Sequence, residues 1–155
     1  MIAKAATISH GGNAVRYSVN KDKAEIVKVN FLPDDISAEA MYQRMVLKQK
    51  EFSSTINKGR PLKRNVIRME ISPTKEESAG WTLADWVRLA NEYIQVFDSI
   101  DLSKKAKRAS AKSTNVKNSQ YVVALHHDAK SGIPHLHIDV NRVDMDGKVN
   151  DDHLI

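Results

Sequence analysis

The chain has 155 residues, no cysteine and a formal net charge of +5, from 24 Lys and Arg against 19 Asp and Glu. This length suits one domain, and the lack of cysteine excludes a disulfide scaffold, a thiolate metal site and a cysteine nucleophile. The sequence has no run of about 20 apolar residues and no signal-peptide pattern, so we expect a cytoplasmic protein without membrane insertion.

The first third of the sequence predicts a strand and two helices. Residues 2–9 are small and compatible with a strand, and the glycine pair in residues 10–13 signals a turn. Asn13 is the candidate N-cap of a short helix that follows this turn. Apolar residues recur on one face of residues 37–54, which predicts a longer helix with Ser37 as its N-cap.

The middle of the chain predicts a strand and a second long helix. Residues 64–72 alternate polar and apolar side chains except at Val66, which is typical of a half-buried strand with Arg68 and Glu70 on its polar face. Residues 82–97 carry the broad apolar stripe of a helix that packs on a core.

One segment holds the charge excess of the whole chain. Residues 101–120 contain six basic residues and one acidic residue, a net charge of +5, so the rest of the chain has no net charge. Lys, Ser, Ala and Asn dominate here and large apolar side chains are rare. This composition predicts a mobile basic loop over residues 101–119.

The last part of the sequence predicts a β-hairpin. Residues 120–128 are apolar enough for a central strand, residues 135–143 alternate strictly, and residues 129–134 form a short connection with Gly and Pro. We therefore predict one α+β domain over residues 1–155, with a mainly antiparallel central sheet and two long helices packed on one face. We also expect this domain to be the N-terminal fragment of a longer protein.

The second hairpin strand places two imidazoles on one face. His135 and His137 are two residues apart, so they point to the same side with about 7 Å between them. His126 or His127, at the facing end of the partner strand, adds a third ring. A single strand histidine is usually a structural polar residue, but four of the six histidines fall within 12 residues. This clustering favours a metal site with open coordination positions.

The same segment resembles the histidine motif of a known nuclease family. Three stretches carry the likeness, namely His126-His-Asp128, Pro134-His135-Leu-His137 and Asn141-Arg-Val143. They are similar to the pattern of the relaxase/mobilisation nucleases, the HUH endonucleases that nick plasmid or integrative-element DNA at a transfer origin. The His-x-Asp part of that pattern selects His126 rather than His127 as the third ligand.

The resemblance implies an HUH-endonuclease-like fold and a divalent metal ion held by His126, His135 and His137. In this family the ion is Mg²⁺ or Mn²⁺. Imidazole ligands by themselves also suit Co²⁺, Ni²⁺ and Zn²⁺, so the residues leave the metal open.

The resemblance also implies a nucleophile. Relaxases of this kind carry a catalytic tyrosine in a short helix near the N-terminus, and Tyr17 stands in that setting, with a packing role in the helix as the alternative. Related initiators and transposases place their tyrosine after the histidine pair, and no tyrosine follows His137 in this chain. Attack by Tyr17 would give a 5′-phosphotyrosyl adduct and a free 3′-hydroxyl. Packing explains the other tyrosines, Tyr42, Tyr93 and Tyr121.

Further residues are expected to support these groups. Asp128, Glu70 and Asn141 are candidates to orient the metal ligands. For Glu70 an ion pair with Arg68 or a lysine is an equal alternative, and Asp139 either joins the histidine face or is a solvated strand end. The candidate DNA contacts are basic residues that would bind phosphates in a salt-dependent way: Arg16, Arg68, Lys104, Lys105, Lys107, Arg108 and Lys112.

The expected function is metal-dependent, tyrosine-mediated nicking and rejoining of single-stranded DNA at a transfer origin, with accessory mobilisation proteins as further partners. Three alternatives stay open. They are a metal-dependent phosphodiesterase that uses water as nucleophile, a DNA-binding module with a structural metal, and an HUH replication initiator whose tyrosine lies outside this chain. A covalent protein–DNA adduct would separate the expected reaction from the first two.

Overall fold

Five antiparallel strands form one sheet in the described residues, which are 1–102, 113–127 and 132–151 of a computed structural model. The strands are β1 Ile2–Ile8, β2 Glu25–Asn30, β3 Val66–Ser72, β4 Tyr121–His126 and β5 His135–Asn141, in the spatial order β1-β3-β5-β4-β2. The helices are α1 Gly11–Asn20, α2 Ala38–Glu51 and α3 Leu83–Ser99. None of these helices is long and apolar enough to cross a bilayer. The architecture is α+β, as the sequence predicts.

The helices cover both faces of the sheet. On one face α3 packs against the apolar side of β3, β4 and β5. On the other face α1 and α2 pack over Val66 and Val122 through Val15, Met41 and Met45. The expectation that both long helices share one face is therefore wrong. The physical reason is that the middle strands carry apolar side chains on both faces, among them the Val66 that breaks the alternation of β3. Both faces must therefore be shielded from water by a helix.

The strand register gathers polar side chains beneath α1. The predicted hairpin strands pair directly, with His126 opposite His135. β3 lies on the other side of β5, with Glu70 opposite His137. Because directly opposite residues share a face of the sheet, three strands deliver side chains to one place.

The sequence prediction omits one strand, and its basic loop lies mostly outside the described residues. β2 was not predicted, because its register shifts between Ile26 and Lys28 and a bulge interrupts the alternation that would have indicated a strand. Of the expected basic loop, residues 103–112 lie outside the described residues. Near the end of that segment Val116 is fully buried, and its backbone N–H donates to the Asp98 carboxylate.

The first helix begins earlier than expected, and Gly11 at its start allows it to touch the sheet. It starts at Gly11 with His10 in the N-cap position, whereas Asn13 accepts a hydrogen bond from Arg16 and caps nothing. A Cβ atom on Gly11 would overlap with Cγ2 of Val66. The glycine therefore marks a close helix-to-sheet contact in addition to a turn.

We expect Gly11→Ala to lower the free energy of unfolding by about 1–3 kcal/mol, because the new methyl group overpacks a fully buried valine. The better helix propensity of alanine, worth up to about 1 kcal/mol, acts in the opposite direction and does not offset the clash. Urea denaturation measures the difference, with the exposed neighbour Ser9→Ala as control. A Gly11→Ala protein as stable as the wild type would contradict the close contact.

Candidate functional site

Three histidine rings meet on the face of the sheet that α1 covers. One nitrogen from each of His126, His135 and His137 lies within 4.8 Å of one nitrogen of the other two. His126 and His137 are buried, and His135 is half-buried. The neighbouring His127 is exposed and contacts Glu25 at 3.0 Å. The structure thus brings together the three histidines that the sequence motif selects.

Each of these rings has an acceptor beside one of its nitrogens. Nε2 of His126 lies 2.8 Å from the Ser18 carbonyl oxygen, and Nδ1 of His135 lies 3.3 Å from the Ile133 carbonyl oxygen. Because a carbonyl oxygen only accepts, both nitrogens must carry the proton and donate. For His137 the neighbour of Nδ1 is the Glu70 carboxylate, at 3.6 Å. Each ring is thereby set to offer its other nitrogen, as metal-binding histidines usually do.

The electrostatic environment keeps His137 neutral. Its pKa is lowered to about 3, first because burial removes water from the charged form and then because His126 would repel a second positive charge. The Glu70 carboxylate raises the pKa but is outweighed. Neither ring nitrogen of His137 has a hydrogen bond among the described residues. A neutral, buried ring with an available lone pair is suited to ligate a metal ion.

Tyr17 lies over the histidines. Its ring centroid is 5.5 Å from that of His126 and 5.7 Å from that of His137. The residue is nevertheless 43% exposed, so a ligand in solvent can reach it. Two cations flank the ring: Nζ of Lys21 is 4.9 Å and Cζ of Arg68 is 5.6 Å from its centroid. An accessible phenol, a histidine cluster and two positive charges therefore share one place.

Glu70 connects the cations to the histidines. Its carboxylate contacts Arg68 at 2.9 Å and Lys4 at 3.1 Å, besides its approach to His137. Burial acts to raise the pKa of Glu70, but the hydrogen bond from Lys4 and the charges of Lys4 and Arg68 lower it on balance. The two alternatives from the sequence, an ion pair and a histidine partner, are both present in the structure.

The structure gives two predicted site residues other partners. Asn141 donates to the Met45 carbonyl and the Gln120 side chain and accepts from Gln49, so it joins β5 to α2. It lies four residues beyond His137, about 13 Å along a strand, and does not orient a histidine directly. Arg16 pairs with Glu39 of α2 and with Asn13, so its guanidinium holds helices together.

Other predicted site residues lie outside the described part of the chain. These are Asp128 and the basic residues Lys104, Lys105, Lys107, Arg108 and Lys112. Lys21 and Ser18, by contrast, belong to the site without having been predicted. Buried residues recur every three or four positions along α1, at Gly11, at Ala14 and Val15, and at Ser18. This helical periodicity is the signal that would have placed Ser18 against the sheet.

Asp139 is a fully buried carboxyl group beside the site. Its exposed fraction is 0%, so the alternative of a solvated strand end is wrong. Burial raises its pKa to about 6, while the Ser18 hydroxyl and Arg68 act to lower it. Its oxygens make no hydrogen bond of ordinary geometry among the described residues. A carboxylate in this position costs free energy in the folded state.

The arrangement defines the chemistry that the site can perform. The three imidazoles are a donor set that fits a divalent transition metal ion and leaves coordination positions open for a substrate. The exposed phenol of Tyr17 beside them is a candidate nucleophile, and Arg68 and Lys21 favour an anionic ligand. A candidate nucleophile, a donor set for a metal ion and two cations together suit nucleophilic attack on a phosphate ester.

We expect Asp139→Asn to raise the free energy of unfolding at pH 7 by about 1–3 kcal/mol in the presence of EDTA. Between pH 4 and 6 the folded protein binds the Asp139 proton more tightly than the unfolded chain, so wild-type stability falls as pH rises through this window. The gain should therefore shrink towards pH 4. Urea denaturation at both pH values measures it, and an amide variant that is less stable at pH 7 would show that the carboxylate has a stabilising partner.

Comparison with known proteins assigns the chain to a family. Residues 16–154 match the family model described as "Relaxase: MobA/VirD2-like, nuclease domain". Searches of curated proteins and of solved structures gave no significant match. The family match covers most of the chain and includes Tyr17 and the three clustered histidines. The chain therefore belongs to the MobA/VirD2-like relaxases and comprises their nuclease domain, an enzyme domain that nicks single-stranded DNA.

Proposed function

We propose that this domain nicks and rejoins one DNA strand at a transfer origin through a covalent intermediate on Tyr17, in the mobilisation of a plasmid or integrative element. The observation that carries the proposal is the position of Tyr17, whose exposed ring packs against His126 and His137. An accessible phenol beside the cations Lys21 and Arg68 is placed to attack an anionic phosphate, which a packing role does not require.

The chain's own groups account for the steps of the reaction. The Tyr17 oxygen attacks phosphorus and forms a phosphate ester, the bond from phosphorus to the 3′ oxygen breaks, and the phenolic proton passes to a base while the 3′ oxygen gains a proton. Arg68 and Lys21, beside the Tyr17 ring, hold the negative phosphate near the phenol. Because the new ester conserves the energy of the old one, the 3′-hydroxyl can reverse the step and rejoin the strand.

His126, His135 and His137 would hold the divalent metal ion, Mg²⁺ or Mn²⁺. When bound there, the ion supplies charge neutralisation at a nonbridging phosphate oxygen and polarises phosphorus. The chain contributes the orientation of the ligands: the Ser18 and Ile133 carbonyls accept hydrogen bonds from His126 and His135, and the Glu70 carboxylate lies 3.6 Å from Nδ1 of His137. We further propose Asp128 as a support of this centre and Lys104, Lys105, Lys107, Arg108 and Lys112 as phosphate contacts, with accessory mobilisation proteins as partners.

We expect Tyr17→Phe to abolish formation of a covalent protein–DNA adduct, because the variant lacks the attacking oxygen. The assay incubates the protein with Mn²⁺ and a randomised pool of labelled single-stranded oligonucleotides and detects an SDS-resistant adduct. A 3′ label should stay on the protein and a 5′ label should be released, because the tyrosine takes the 5′ phosphate. Tyr93→Phe is the control, since Tyr93 packs beside Phe97 of α3 on the opposite face.

The alternatives give different results in this assay. An adduct that persists in Tyr17→Phe would point to another nucleophile. Cleavage without an adduct, equal in the wild type and the variant, would indicate water as nucleophile. Binding without any cleavage would indicate a DNA-binding module.

We expect His135→Ala combined with His137→Ala to weaken Mn²⁺ binding about 100-fold or more, because loss of even one outer partner of a ligand typically costs 10–100-fold. Isothermal titration calorimetry without DNA measures this directly. His127→Ala is the matched control, since this exposed ring contacts Glu25 and faces away from the cluster. Unchanged Mn²⁺ affinity in the double variant would rule out the three-histidine centre.

A further inference from the structure

The histidine face of the sheet is open along its β1 edge. The helix α1 packs over β5, β4 and β3, and β1 pairs only with β3 in the described sheet. Lys4, Ala6 and Ile8 of β1 are opposite Glu70, Arg68 and Val66, so they extend the histidine face beyond the helix. A groove lies along this edge, lined by β1, by Arg68 and Glu70 of β3, and by His10, the residue before α1.

This groove has a volume of about 320 Å³. Ala6 and Ile8 give it a small apolar lining, and the exposed residue His10 borders it just before the start of α1. Lys4 and Arg68 supply positive charge along one side. The volume is at the lower end of the range for small-ligand sites, about 300–1,000 Å³, and suits one nucleotide rather than a run of several.

The charges of the groove favour a phosphate despite the presence of Glu70. Its single negative charge is shared between Lys4 and Arg68, at 3.1 and 2.9 Å, so the three groups together remain positive. Arg68 also lies 5.6 Å from the Tyr17 ring. Arg68 is thus shared by the groove and by the surroundings of the attacking phenol.

We propose that this groove seats one nucleotide of the DNA strand next to the phosphate that Tyr17 attacks, which deepens the proposed function and rests on it. The base lies on Ala6 and Ile8 and stacks with His10, and its phosphate faces Lys4 and Arg68. The groove fixes the strand relative to Tyr17, so it helps to select which phosphodiester is cut.

A larger cavity on the opposite face, of about 560 Å³, lacks this relation to Tyr17. Its polar groups already bind one another: Lys28 donates to Asn91, and the Asp98 carboxylate accepts from Thr114 and two backbone N–H groups. These polar groups use their hydrogen bonds within the fold, whereas the lining of the β1 groove includes the exposed side chain of Ala6.

The test compares two glutamate substitutions of equal charge in one strand. Ala6 and Ala3 are both exposed residues of β1, but Ala6 lies on the groove face and Ala3 on the other. Fluorescence anisotropy with labelled oligothymidylate in EDTA gives DNA affinity without the metal ion. We expect Ala6→Glu to weaken binding about 10-fold, the scale of losing one stacked base, and Ala3→Glu to leave it unchanged.

Two further measurements keep the proposal testable if Ala6→Glu does not fold. His10→Ala removes an exposed ring that makes no cap hydrogen bond, and it should also weaken binding. Photocrosslinking with an iododeoxyuridine-substituted oligonucleotide should label the peptide that contains His10. Equal DNA affinities of the two glutamate variants, or crosslinks only to residues of the opposite cavity, would contradict the proposal that the groove binds a nucleotide.

The adduct assay, run on the same proteins, separates the two proposals. If the wild type forms an adduct but Ala6→Glu and Ala3→Glu bind DNA equally well, the proposed reaction is supported and the nucleotide-binding role of the groove is contradicted. No adduct in the wild type, with binding lost only in Ala6→Glu, would support a nucleotide groove in a protein that does not perform the proposed reaction.

Discussion

The close contact of α1 with the sheet is the constraint on which the site depends. The helix carries Tyr17, whereas β4 and β5 carry the histidines, and only their direct packing brings the phenol and the imidazoles together. Gly11 permits this packing, because a side chain there would meet Val66. Near the other end of the helix, the Ser18 carbonyl accepts the hydrogen bond of His126. One end of the helix is thus positioned by steric fit and the other by a hydrogen bond from His126 of the histidine cluster.

The polar groups beneath α1 are held at a cost in stability. A neutral His137 and a fully buried Asp139 lose water on folding, and the pKa of each shifts in the direction that disfavours its charged form. A core built for stability alone would place apolar side chains here. Functional sites commonly retain such groups, and in this fold they surround the candidate metal ligands.

The rest of the fold supplies the rigidity that this packing requires. α3 covers one face of the sheet with an apolar layer, and α2 braces α1 on the other face. Asn141 adds a buried polar link between β5 and α2, through the Met45 carbonyl and Gln49. A residue that the motif associates with the histidines thereby stabilises the site indirectly, by fixing the helix behind the one that carries Tyr17.

The sequence alone determined the α+β class, the hairpin, the long helices and the identity of the three clustered histidines. The elements follow from local periodicity, and alternation along β5 fixes which of its residues share a face. The choice of His126 over His127 follows from the resemblance to the relaxase motif. Only the tertiary structure decided that helices cover both faces, that β2 joins the edge and that Asp139 is buried, because these depend on contacts between segments distant in the chain. The position of Tyr17 over the histidines likewise arises from the packing of a helix on a sheet, which no local pattern encodes.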